Sequence, residues 1–108
     1  MNARVPSQVL QPELALQRVS QAWDSDIVRQ LTDYIAIPAK SPTFAADWAA
    51  LGLLDTVVLN AATWAESQTV VGLTLAIVRL EGRTPVLFFE IAATSPPPTH
   101  TVLLYGHL

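Results

Sequence analysis

The hydrophobic pattern of this chain changes period at Gly72, and that change restricts the fold more than any other feature. Between Ile27 and Ala62 apolar residues recur at helical spacing, whereas Leu73–Leu80, Pro85–Ala92 and Thr101–Tyr105 are runs rich in branched and aromatic side chains. Helices followed by strands place the chain in the α/β class. Glu81-Gly82-Arg83-Thr84 separates the first two runs and predicts a β-hairpin, because Gly82 can take positive φ without a Cβ penalty. Val86-Leu-Phe-Phe-Glu-Ile91 is almost continuously apolar, which predicts an interior strand covered on both faces. Thr101–Tyr105 has the same character and predicts a further central strand. Between them, Thr94-Ser-Pro-Pro-Pro-Thr99 reads as a stiff connector whose prolines cannot donate to a ladder.

The helical part begins weakly. Leu10, Leu14, Leu16 and Val19 predict a short helix after Pro12, inside an otherwise polar N-terminal segment, residues 1–21. A clearer helix is predicted from Asp24, with Asp24 or Ser25 as cap and Asp26 favourable in the first turn. Ile27, Leu31, Tyr34 and Ile35 form its stripe, and Pro38 ends it by biasing Ile37 away from the α region. Ile37-Pro-Ala-Lys-Ser-Pro42 is a loop. Ser41 as cap and Pro42 as first helical residue then predict a second helix running to about Ser67, about 35 Å long. Phe44, Trp48, Leu51, Asp55, Val58 and Ala62 share one face, widened by Leu54, Val57 and Ala61. Gly52 inside such a helix costs about 1 kcal/mol relative to alanine, which suggests close packing there.

Composition narrows the function. Hydrophobic residues are 51% and charged residues 14% of the 108, well below the roughly 25% charge of ordinary globular proteins. Some faces are therefore expected to be covered by further polypeptide or by a partner subunit. The net charge is −3, Lys40 is the single lysine, and the arginines are scattered, which argues against a nucleic-acid surface. No run approaches the roughly 18 apolar residues of a membrane span, and Pro6 and Pro12 interrupt any secretory leader. The absence of cysteine excludes disulfides and thiolate metal sites. A cytoplasmic, membrane-free protein is the resulting expectation.

The candidate chemistry lies at Thr101-Val-Leu-Leu-Tyr-Gly-His-Leu108, where a strand-type run delivers His107 to its tip. Strand ends are where open α/β sheets hold ligands, and neutral imidazole is a common metal ligand. This segment resembles the first metal-binding segment of the zinc peptidases and deacylases related to aminoacylase, carnosinase and succinyl-diaminopimelate desuccinylase. In that family a hydrophobic strand ends in Gly-His-x-Asp. Asp33-Tyr-Ile-Ala-Ile-Pro38 is similar to the family's early helix and Ile-Pro turn. Ile37-Pro-Ala-Lys-Ser-Pro42 and Glu81-Gly-Arg-Thr-Pro-Val-Leu-Phe-Phe-Glu90 resemble its carnosinase-type dipeptidase branch. The likeness covers residues 24–108.

The resemblance implies that residues 22–108 are the N-terminal part of a catalytic metallopeptidase domain, a helix-flanked mixed sheet interrupted at its first metal-binding motif. It implies His107 as a metal ligand, zinc as cofactor (two divalent ions in the complete enzyme), and a small peptide or acyl-amino-acid substrate. The bridging aspartate, catalytic glutamate, remaining ligands and a smaller domain supporting a homodimer would all follow Leu108. With one ligand from the motif, against the three a catalytic zinc needs, the 108 residues alone are expected to be inactive. The competing expectation is a non-catalytic helix–sheet module that associates through its apolar strands. In that case His107 is an exposed terminal histidine without a role.

Other polar residues carry blander readings. His100 is a loop residue, Asp33, Asp47 and Asp55 are exposed helix acids, and Lys40 and Ser41 belong to a turn between Pro38 and Pro42. Trp23, Trp48 and Trp64 are expected to be packing anchors.

Overall fold

A computed structural model describes residues 10–94 and 100–108. All but the first residue of the connector predicted at 94–99 lies outside them, as does most of the polar N-terminal segment. The chain divides into two compact units, Met1–Ala36 and Ile37–Leu108.

The first unit is helical from Pro12 to Ile35. Helix α1, Pro12–Ala22, starts with proline at its first position, where no intrahelical N–H bond is lost, and carries Glu13 in its first turn. It continues without interruption through a π-helical segment, Trp23–Ile27, into α2, Val28–Ile35. The helix start expected at Asp24 is therefore corrected: no cap forms there. The Ser25 hydroxyl donates to the Gln21 carbonyl at 2.8 Å, a backbone acceptor one turn back, and so serves the running helix instead of opening a new one. Asp26 accepts from Arg29 at 2.9 Å and from Gln30 at 3.2 Å, tying the π segment to the turn that follows. The end of α2, two residues before the Ile37-Pro38 pair, agrees with the steric effect of proline on its neighbour. No residue of these helices is buried, so the stripe of Ile27, Leu31 and Tyr34 has no core of its own.

In the second unit the long helix predicted from Ser41 to Ser67 is replaced by three pieces. The Ser41 carbonyl accepts from the N–H groups of Phe44 and Ala45 at 2.9 and 3.0 Å and closes a single turn. Helix α3 is only Trp48–Leu51, and α4 runs Leu53–Ser67. Gly52 between them has φ +68°, the left-handed conformation that ends a helix and that glycine adopts without steric cost. Its carbonyl accepts the first bond of α4, from Thr56 N–H at 3.1 Å, so one residue closes one helix and opens the next. The expected close packing at Gly52 is absent: a Cβ built there meets no atom within 4 Å. The glycine is needed for its dihedrals and not for its size. Gly52→Ala is accordingly expected to destabilise the protein by about 1–2 kcal/mol, the penalty of a left-handed L-residue, with Gly52→Asn losing less. In a continuous helix the alanine would stabilise by about 1 kcal/mol instead. The sign of the shift in urea midpoint decides between the two.

Strands β1, Leu73–Val78, and β2, Val86–Ile91, pair antiparallel with Leu73 opposite Ile91 and Val78 opposite Val86. The turn forms where predicted, with Arg83 N–H donating to Leu80 carbonyl at 3.0 Å and Gly82 at φ +70°. Because strand side chains alternate, Leu73, Leu75 and Ile77 share one face with Leu87, Phe89 and Ile91. Helix α4 packs against both strands, and its Val57, Val58 and Ala62 are the buried residues among those described. Val58 and Ala62 are one helical turn apart and Val57 adjoins them, so one narrow stripe supplies the entire buried core.

Two strand expectations are corrected. The described sheet has two strands, so β2 is not interior, and Phe88 and Phe89 each stay about half exposed. Residues 101–105 form no strand, and Val102–Tyr105 are more than four-fifths exposed. An apolar run states that a segment gains by being covered; the ladder itself requires a neighbouring edge, which here is left unused. The architecture is thus mixed helix and antiparallel sheet. No described helix is long and apolar enough to cross a membrane.

Candidate functional site

Residues 101–108 form no regular element, and within them Tyr105 and His107, two positions apart, are neighbours. Their rings meet edge to face, with centroids 5.3 Å apart and planes at 75°. The Tyr105 phenol oxygen lies 3.1 Å from His107 Nε2. In the neutral ring with its proton on Nδ1, the phenol O–H donates to Nε2. If Nδ1 instead takes a cation, the proton moves to Nε2 and the N–H donates to the phenol oxygen, an arrangement that orients a ligand ring. The sequence reading did not single out Tyr105, although it stands only two positions from His107. Gly106, between them, has open space around it, with nothing within 4 Å of an added Cβ.

The donor set is incomplete. Among the described residues no group of three or more histidine, cysteine or carboxylate side chains is close enough to hold a metal ion. His107 has suitable donor chemistry, but a catalytic zinc takes three protein ligands, so these residues do not by themselves fit the ion. His100 is exposed in the chain leading to this segment.

The remaining polar candidates are placed elsewhere. Asp55 lies in the first turn of α4 and pairs with Arg79, just beyond β1, linking the helix to the hairpin across 24 positions. Both side chains are about half exposed, so the pair contributes only about 0–1 kcal/mol. It was missed in the sequence because nothing local connects the two residues; the visible signal was an acid within the apolar stripe of α4. The pair borders a shallow cleft of about 210 Å3 between the Gly52 elbow and the hairpin turn, also lined by Trp48, Arg83 and Pro85. A second cleft, of about 320 Å3, includes Lys40, Phe44, Asp47 and Trp48. His107 lines neither. Asp47 flanks α3 while Asp55 belongs to α4, and the Gly52 elbow separates the two helices. Lys40 and Ser41 sit in the turn region and form no nucleophile–base pair. Trp48 is partly buried, whereas Trp23 remains half exposed, which weakens its expected role as a packing anchor.

No family model matches the chain, and no curated protein matches it.

Proposed function

We propose that this chain is the N-terminal portion of a zinc-dependent hydrolase resembling the aminoacylase–carnosinase–desuccinylase family, on its dipeptidase branch, acting on dipeptide or acyl-amino-acid amide bonds. The observation that carries the reading is Gly106-His107 at the end of an apolar run, preceded in order by Ile37–Pro42 and the Glu81–Glu90 hairpin segment. In this reading His107 donates one ring nitrogen to a metal, and Tyr105, 3.1 Å from the other, holds the ring's orientation. In the complete enzyme a pair of such ions would activate water and stabilise charge on the scissile carbonyl. The other ligands and the general base would come from polypeptide outside these 108 residues, and the chain alone hydrolyses nothing. The test is the coding sequence downstream of Leu108. An aspartate is expected at the second position after His107, followed by a later cluster of glutamate and histidine. A non-acidic residue there, with no such cluster, removes the reading.

A second reading, a non-catalytic helix–sheet module that associates through its apolar strands, is favoured by one observation: the apolar run Val102–Tyr105 is exposed, and the described sheet has two strands.

A further inference from the structure

We infer that the cleft between the Gly52 elbow and the hairpin turn binds a small organic carboxylate with an aromatic body, and that Arg83 recognises its charge. The inference does not rest on zinc or on His107, which lies outside this cleft.

Charge singles the cleft out. The chain has six basic residues against nine acidic ones and a net charge of −3. Two of the six, Arg79 and Arg83, line this one cleft, and Asp55 is the single carboxylate lining it with them. Glu81, on the same turn, is exposed and does not line it. Asp55 is engaged by Arg79, which balances both charges. Among the described residues no carboxylate pairs with Arg83. The cleft therefore carries one uncompensated positive charge, and an anion is its complement. The turn sets where that charge stands: Gly82 takes φ +70°, and Arg83 N–H donates to the Leu80 carbonyl at 3.0 Å.

The shape and walls narrow the ligand further. A guanidinium is a planar fork that matches the two oxygens of a carboxylate. Trp48, Leu54 and Pro85, each partly buried, give the same cleft apolar walls, and an indole face packs well against a ring. Its volume of about 210 Å3 is below the roughly 300–1,000 Å3 of pockets for drug-sized ligands. A single ring bearing one carboxylate uses both the charge and the walls. A bare inorganic anion would use only the charge.

The test is a titration of the 108-residue chain with sodium benzoate at constant ionic strength, followed by NMR at the Trp48 indole N–H and the Arg83 side-chain N–H. Both signals are expected to move together and to saturate with one dissociation constant of about 1 mM, weak because the guanidinium is exposed and screened. Arg83→Gln is expected to raise that constant at least about tenfold, through loss of the charge-assisted hydrogen bonds. Arg83→Lys, which keeps the charge and loses the fork, falls between the two. Arg29→Gln, in the other unit, leaves binding unchanged. Benzyl alcohol has the ring without the charge and inorganic phosphate the charge without the ring; each is expected to bind at least about tenfold more weakly than benzoate. Arg83 stands exposed on the turn, so both of its variants keep the circular dichroism spectrum of the parent. No saturable shift, a dissociation constant indifferent to Arg83→Gln, or phosphate binding as tightly as benzoate would each overturn the inference.

Discussion

Val58→Asp is expected to abolish the cooperative unfolding transition of the unit formed by α4 and the hairpin. Val58 is 4% exposed, and with Val57 and Ala62 it makes up the described buried core. A carboxylate there must either lose its hydration without a partner or bind a proton to stay neutral, and no hydrogen-bonding group lies among the buried residues to receive it. The expected cost is about 3 kcal/mol or more, in the range reserved for buried unpaired polar groups. A unit of this size has little stability in reserve, since small cores rarely supply more than about 3–5 kcal/mol. Val58→Ala, which removes two methyl groups and leaves a partly filled space, is expected to cost about 2 kcal/mol. Leu59→Asp is the control. Leu59 is half exposed on the far side of α4, so the same charge one position along should leave the thermal melt nearly unchanged. Circular dichroism melts of the three variants test this directly. Equal effects at positions 58 and 59 would show that the helix does not pack through this stripe.

The second large effect concerns His107. In a longer, zinc-loaded polypeptide containing these residues, His107→Ala is expected to lower kcat/KM at least about 100-fold, beyond the 10–100-fold typical of losing an outer partner of a metal ligand. Zinc content, measured by mass spectrometry, should fall with it. Tyr105→Phe should act more mildly, because it removes the phenol 3.1 Å from Nε2 and leaves the donor nitrogen itself in place. Graded losses in that order, His107 far above Tyr105, are the signature of a ligand with an orienting neighbour. Full activity and full zinc content in His107→Ala would remove His107 from the chemistry. The 108-residue chain alone is expected to show no hydrolysis with or without zinc, since one imidazole cannot replace the three ligands of a catalytic ion.

The features legible in the sequence are those with a local cause. Gly82 and its flanking runs marked the hairpin, and it forms with β1 and β2 close to their expected limits. Pro38 marked the end of α2, and Pro12 opened α1. Val57, Val58 and Ala62 stood on the predicted stripe of α4. What escaped was any feature in which two local solutions compete. Gly52 fits a helix interior at a small cost or a left-handed elbow at none, and the residues around it suit both. Asp24 and Ser25 are good helix openers, yet a helix already running can absorb them by bonding the serine hydroxyl to a carbonyl one turn back. Of the candidate site, the sequence singled out Gly106 and His107, and the structure adds the Tyr105 phenol beside the imidazole.

Burial was the least legible property. The continuous apolar character of Val86–Ile91 and Thr101–Tyr105 predicted interior strands, and the structure leaves both segments largely exposed. Backbone dihedrals and turn chemistry act within a few residues, so the hairpin turn at Gly82 and the helix stop before Pro38 were already written in the chain, whereas the stop at Gly52 and the lack of a strand at residues 101–105 were not. Which side chains lose water depends on surfaces brought together from distant positions. It was the packing of α4 on the hairpin that selected Val57, Val58 and Ala62 as core, joined Asp55 to Arg79, and left Phe88, Phe89 and Val102–Tyr105 facing solvent.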